Sequence, residues 1–118
     1  MILIHYDMET IRFNKNWNQK LCCDNYTTIR LHSNKFYVGN ILETVCKTDN
    51  SEIKEMAKVV YVRSYRLNDI PEEVFWTDCG MSKEHAIQMI EKMYLKYNIH
   101  IHSAKWDVVV LQHYYPKD

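Results

Sequence analysis

Residues 27–31 are Thr27-Thr28-Ile29-Arg30-Leu31, and Val38-Gly39-Asn40 follows a few residues later. The first stretch predicts a β-strand, in which successive side chains point to opposite faces. Thr28 and Arg30 would therefore share a face and place a hydroxyl beside a guanidinium, a pair suited to an anion or a polar planar group. The alternative is an ordinary strand end with one solvated arginine.

The composition predicts one globular domain covering residues 1–118. Apolar residues make up 47 % of the chain and charged residues 25 %, and only 2 Gly and 2 Pro occur, so long disordered linkers are not expected. The chain contains no apolar run of about 18 residues, so no membrane span is expected. Residues 1–7 lack the basic and apolar regions of a signal peptide, so we expect a cytoplasmic protein without membrane contact.

The charge pattern argues against binding of long nucleic acids by charge alone. Residues 1–66 carry ten Lys/Arg against seven Asp/Glu, or +3, and residues 67–118 carry five against eight, or −3, so the net charge is zero. A normally mixed, solvated surface is the favoured interpretation. The cysteines lack the paired spacing of a zinc site, so we expect reduced thiols and no metal.

Hydrophobic periodicity predicts an α+β domain. Strands are predicted at 2–6, 27–31, 41–47, 58–67 and 105–115, and helices at 13–23, at about 70–76 and at 83–97 after the N-cap Ser82. The first half of strand 58–67 is apolar on both faces, as in a barrel strand covered on both sides. Gly39 and Asn40 predict a turn, because glycine and asparagine readily adopt positive φ. Helix 83–97 carries one apolar stripe, predicted to be core packing: Ala86, Ile90, Met93 and Tyr97.

These segments indicate a small barrel-like sheet with helices inserted before the second strand and before the last strand. Their order is a helix, Thr-x-Arg, Tyr37-Val38-Gly39-Asn40, a β-run, Leu67-x-Asp69-Ile70, Thr77-Asp78-Cys79-Gly80, a helix and a final strand. This order, over about residues 9–113, resembles the ASCH family (activating signal cointegrator homology), which has a PUA-like β-barrel fold.

The resemblance implies a cleft on the barrel lined by a motif of the form Gly-x-Lys-x-x-Thr-x-Arg. Members of the family are suspected RNA-binding modules. A subset hydrolyses the acetyl amide of N4-acetylcytidine, using the Lys and Thr of the motif and a downstream Glu. The resemblance therefore implies RNA or a nucleotide as the ligand.

Transfer of the motif onto this chain is incomplete. Thr28 and Arg30 match its Thr and Arg, but Asn25 occupies the Lys position, and Asp78 lies next to the position of the Glu. An amide cannot serve as an activated amine or base. Lys20 could substitute only if the end of the predicted helix were reorganised. The sequence therefore favours a binding module over an enzyme.

Each candidate residue has a structural alternative. Arg30 could bind a phosphate or a base edge, or it could form a salt bridge with Asp78 or Glu43. Asn25 could bind a base edge or form a turn, and Asp78 could act as a base or acceptor or make a contact at a helix end. Lys35, Arg63, Tyr65 and Arg66 interleave aromatic and basic groups, as single-strand binding requires.

Three functions remain open on the sequence alone. The first is a ligand-binding module with Thr28 and Arg30 at the floor of the cleft. The second is an amidohydrolase acting on an acylated cytidine, in which Thr28 and Asp78 would be catalytic. The third is a weak ribonuclease, which would require His32 or His113 near the cleft. No cofactor fingerprint occurs, so no cofactor is expected, and His100 and His102 lack a third metal ligand.

Overall fold

The computed structural model describes residues 9–14 and 16–116, and the strand predicted at 2–6 lies outside them. Five strands follow in chain order: β1 (Thr10–Phe13), β2 (Asn25–Leu31), β3 (Ile41–Lys47), β4 (Glu52–Arg66) and β5 (Lys105–His113). Helices α1 (Glu72–Cys79) and α2 (Lys83–Tyr94) precede β5, and 3-10 helices cover Trp17–Cys22 and Leu67–Asp69. The predicted α+β class is confirmed, as is the helical insertion before β5, whereas the insertion before β2 is a 3-10 helix only.

The five strands form one curled sheet in the order β1-β3-β4-β5-β2. The pair β1–β3 is parallel and the other three pairs are antiparallel. The sheet curls into a half-barrel, which leaves β1 and β2 as its two edges. None of the described helices is long and apolar enough to cross a membrane.

Two apolar clusters lie on opposite faces of the sheet. The inner cluster draws on all five strands and includes Phe13, Tyr26, Leu42, Val59 and Leu111. The outer cluster packs α1 and α2 against β5 and includes Phe75, Ala86, Ile90, Trp106 and Val108. Because residues of β5 enter both clusters in alternation, β5 is the strand that is buried on both faces.

Strand β3 has the predicted bounds, and β2 begins two residues before the predicted strand. Strand β4 begins six residues before its predicted start, and β5 ends two residues before its predicted end. The expectation that β4 is covered on both faces was wrong, because Val60 and Tyr61 are 36 % and 47 % exposed. A register shift between Val59 and Tyr61 interrupts the ladder there, and the helices cover β5 rather than this part of β4.

The helix predicted at 13–23 was wrong in extent, because Phe13 belongs to β1 and only the 3-10 turn Trp17–Cys22 forms. Helix α1 continues to Cys79, where Gly80 adopts the left-handed conformation with φ 69° and ends it. The Ser82 side chain accepts a hydrogen bond from the His85 amide, which confirms the predicted N-cap.

Helix α2 ends at Tyr94, three residues before the predicted end. Of its predicted core stripe, Ala86 and Ile90 are buried, whereas Met93 and Tyr97 are about half exposed. In the turn before β3, Gly39 has φ 96°, but Asn40 does not have positive φ. The Asn40 amide instead donates to the Lys35 carbonyl at 2.7 Å. That side-chain hydrogen bond closes the turn without a left-handed residue at position 40.

Candidate functional site

The gap between the edge strands β1 and β2, called here the seam, is bridged by long basic side chains. Arg30 Nη2 donates to the Arg12 carbonyl at 2.7 Å, and Lys35 Nζ donates to the Thr10 carbonyl at 2.9 Å. An edge strand presents backbone groups that no neighbouring strand satisfies. Side chains from β2 and from the loop after it therefore donate hydrogen bonds to β1 carbonyls, which a neighbouring strand would pair with in a closed barrel.

A cavity of about 130 Å³ opens at the seam. Its walls come from β1, β2, the 3-10 helix Trp17–Cys22, α1 and α2, and include Phe13, Lys20, Thr28, Arg30, Asp78 and Met89. An engineered protein cavity of about 150 Å³ binds benzene, so this volume is comparable to the space that one small ring occupies. Helix α2 supplies an apolar wall, and the polar groups converge from the opposite side.

A buried ion pair forms one polar wall of the cavity. Lys20 Nζ lies 2.6 Å from Asp78 Oδ1, and the two side chains are only 6 % and 13 % exposed. Thr27 Oγ1 donates to the same carboxylate oxygen at 3.4 Å. Burial lowers the pKa of Lys20, and the neighbouring carboxylate of Asp78 partly opposes that shift.

The Thr28 and Arg30 side chains form the second polar wall. As the alternation of β2 predicts, they lie on one face, and Arg30 Nε donates to Thr28 Oγ1 at 2.9 Å. The guanidinium lies 4.7 Å from the centre of the Phe13 ring, and Lys20 Nζ lies 5.4 Å from it. Burial lowers the pKa of Arg30, opposed by Asp78, but an arginine remains charged at any physiological pH.

Two of the cations that line the cavity, Lys20 and Arg30, thus lie close to the ring of Phe13, and the carboxylate of Asp78 contacts Lys20. The Lys20 and Arg30 side chains supply N–H donors, and Asp78 supplies an acceptor. This set can bind a planar polar group that presents both acceptors and a donor on one edge.

The structure brings together three of the residues predicted from the sequence: Thr28, Arg30 and Asp78. Within the described residues Arg30 forms no ion pair with Asp78 or Glu43; its direct partners are Thr28 and the Arg12 carbonyl. Asp78 itself contacts Lys20 and Thr27 rather than Thr28.

Lys20 is the residue that the sequence analysis discounted. The 3-10 turn, in which Gln19 has φ 53°, replaces the regular helix and directs Lys20 onto Asp78. Its only signal in the sequence was its place beside Leu21, at the end of the four-residue spacing of Phe13, Trp17 and Leu21. Because 58 residues separate Lys20 from Asp78, no local pattern could pair them.

The other predicted ligand-binding residues lie away from the cavity. Asn25 is exposed at the start of β2, and Lys35 lies at the seam without lining the cavity. Burial lowers the pKa of Lys35, and the nearby Arg30 lowers it further. Arg63 lies 5.1 Å from the centre of the Tyr65 ring, and Tyr65 packs beside the outer cluster. These residues do not form one surface with Thr28 and Arg30.

The histidines that a ribonuclease would require do not line the cavity. His32 contacts Asp107, and His113 Nε2 lies 2.8 Å from the Leu21 carbonyl with its Nδ1 3.1 Å from Glu55. The cysteines form no disulfide within the described chain, and burial raises the pKa of Cys46 and Cys79. The described residues contain no group of three or more potential metal ligands among His, Cys, Asp and Glu.

Comparisons with known proteins identify no relative: no protein-family model matches this chain, and no curated protein and no solved structure matches it.

The buried ion pair makes a prediction about the titration of Lys20. Its amine should titrate below the ordinary value of 10.5, and Asp78→Asn should lower the midpoint further, because the variant keeps the burial and removes the opposing charge. Since the pKa of Lys20 is lower in the folded chain, the free energy of unfolding should rise with pH between the folded and unfolded values. Lysine ¹³Cε NMR titrations measure the midpoint.

Glu84→Gln is the matched control, because Glu84 is an exposed acid in the first turn of α2. It should leave the Lys20 midpoint unchanged. An Asp78→Asn midpoint equal to or above that of the unmodified protein would show that the two side chains do not interact in solution.

Proposed function

We propose that this chain is a small ASCH-type module that binds RNA or a modified nucleotide, with a PUA-like barrel as its scaffold. The observation that carries the proposal is the seam cavity, in which Thr28 and Arg30 lie beside the buried Lys20–Asp78 pair. Its volume matches one base ring, so a single base would enter while the sugar and phosphates remain outside.

The polar groups of the cavity are complementary to the edge of a pyrimidine. Cytosine presents an exocyclic amino donor, which a carboxylate accepts, next to ring and carbonyl acceptors, which lysine and arginine can reach. Asp78 is the acceptor in this arrangement, and Lys20 and Arg30 are the donors. The Phe13 ring and the side chain of Met89 supply apolar contacts for the face of the base.

The modest charge of the chain is consistent with binding a short segment. Arg12 lies at the cavity with a 67 % exposed side chain, and its only described ion pair is a surface contact of 3.4 Å with Glu52. Few phosphates would be neutralised, so affinity should fall only gently as salt increases.

The binding proposal predicts that Arg30→Ala weakens binding of short single-stranded RNA. The expected loss is about tenfold or more, because charge-assisted hydrogen bonds contribute roughly 1.5–3 kcal/mol. Fluorescence anisotropy of labelled RNA across a salt series measures the change, and thermal unfolding checks that the variant is folded. Arg66→Ala removes an exposed arginine outside the cavity and should bind like the unmodified protein. Unchanged affinity in a folded Arg30→Ala protein would refute the proposal.

A second candidate function is hydrolysis of an acylated cytidine, and the position of Lys20 is the observation that favours it. Position 25 holds Asn rather than the Lys of the motif, but Lys20 lines the same cavity as Thr28. Thr28 Oγ1 accepts from Arg30, so its own proton can be donated to a base. A lysine whose pKa is lowered by burial could act as that base.

The hydrolase candidate predicts that N4-acetylcytidine is converted to cytidine and acetate, as the amide C–N bond is cleaved by water. Chromatography of the nucleosides measures the conversion. Lys20→Met and Asp78→Asn should each abolish it, whereas Lys96→Met, at an exposed lysine, should leave it unchanged. If the unmodified protein releases no cytidine, this candidate is eliminated and the binding proposal is unaffected.

A further inference from the structure

A second polar cluster, outside the cavity, surrounds the carboxylate of Asp107. Asp107 is fully buried on β5, where Trp106 and Val108 flank it in the sequence. Its oxygens lie 2.9 and 3.1 Å from His32 Nδ1, 2.7 Å from Ser64 Oγ and 3.2 Å from the Ser33 amide nitrogen. A buried carboxylate is costly unless such donors surround it.

These contacts determine which nitrogen of His32 carries the proton. An ionised carboxylate only accepts hydrogen bonds, so the Nδ1 that faces Asp107 must donate. In the neutral ring Nε2 is then unprotonated and can only accept. The His32 side chain is 41 % exposed, so this acceptor can be reached from solvent. Asp107 is therefore a positioning residue, and His32 is the group that a ligand could touch.

His32 continues the row of polar side chains that leads into the cavity. Arg30 is the register partner of Asp107, and the His32 amide extends the same ladder by donating to the Lys105 carbonyl at 2.9 Å. Thr28, Arg30 and His32 are thus spaced by two residues along one face. Two residues along a β-strand advance by about 7 Å. This distance is comparable to the separation of neighbouring nucleotides in an extended single-stranded nucleic acid.

We propose that His32 Nε2 accepts a hydrogen bond from the ribose 2′-hydroxyl of the nucleotide next to the base in the cavity. This inference rests on the proposed binding function and adds selectivity for RNA over DNA. The 2′-hydroxyl is the group that distinguishes the two polymers, and an unprotonated imidazole nitrogen matches its O–H donor. The ligand class is a ribonucleotide chain of at least two residues.

The test compares affinities for RNA and DNA oligomers of the same sequence. The unmodified protein should prefer RNA by about three- to tenfold, the contribution of one hydrogen bond. His32→Phe should bring the ratio close to one by weakening RNA binding alone. His100→Phe, at an exposed histidine in the loop before β5, is the matched control and should retain the preference. A His32→Phe protein with an unchanged ratio would overturn the inference.

The outcomes separate this inference from the binding proposal. RNA binding that depends on Arg30 but has a ratio insensitive to His32 would refute only the role of His32. Absence of binding to both oligomers would refute both. If His32→Phe does not fold, imidazole ¹⁵N NMR of the unmodified protein gives the answer. The Nε2 of His32 should be unprotonated and should shift on addition of the RNA oligomer but not of the DNA oligomer. A protonated Nε2 in the neutral ring, or equal shifts, would overturn the inference.

Discussion

The Arg30 guanidinium holds together the two edges of a sheet that curls without closing. Its Nη2 hydrogen bond to the Arg12 carbonyl joins β2 to β1, and its Nε hydrogen bond fixes the hydroxyl of Thr28. The same group stacks on Phe13, which belongs to the inner cluster. The seam cavity exists because the edges are bridged by a side chain rather than by backbone pairing, and the bridging group is also the cavity's main donor.

The Lys20–Asp78 pair explains why the cavity is polar although α2 lines it with apolar side chains. Removing two charges from water costs several kcal/mol for each ion, and a buried ion pair is often no more stabilising than apolar residues of the same size. Folding alone therefore gives little reason to keep this pair. A ligand that uses the carboxylate as an acceptor and the ammonium as a donor would account for it, as the proposed base-binding site does.

Local features of the fold could be predicted from the sequence, because local physics determines them. The alternation in β2 places Thr28 and Arg30 on one face, and Ser82 caps α2. Features that depend on distant contacts could not be predicted. The assignment of Phe13 to β1 depends on pairing with Cys46, and Lys20 reaches the site only because α1 carries Asp78 to the seam.

The same distinction explains the scattered prediction of ligand-binding residues. Arg63 and Tyr65 have the composition of a single-strand binding surface, but β4 is the central strand of the sheet and does not border the seam. Tyr65 packs beside the helices instead. The polar row on the inner face, from Thr28 to His32, depends on the register of β2 against β5, which places Asp107 opposite Arg30. Register is a property of the assembled sheet and not of either strand.

The central claim, that the seam cavity is the ligand site, is tested most directly by mapping a bound oligomer on the protein. Amide ¹H–¹⁵N NMR spectra would be recorded while short single-stranded RNA is added. We expect the largest shifts at Lys20, Thr28, Arg30 and Asp78, which come from three separate segments and meet only at the cavity. Shifts centred on Arg63 and Tyr65, with the cavity residues unchanged, would contradict the claim.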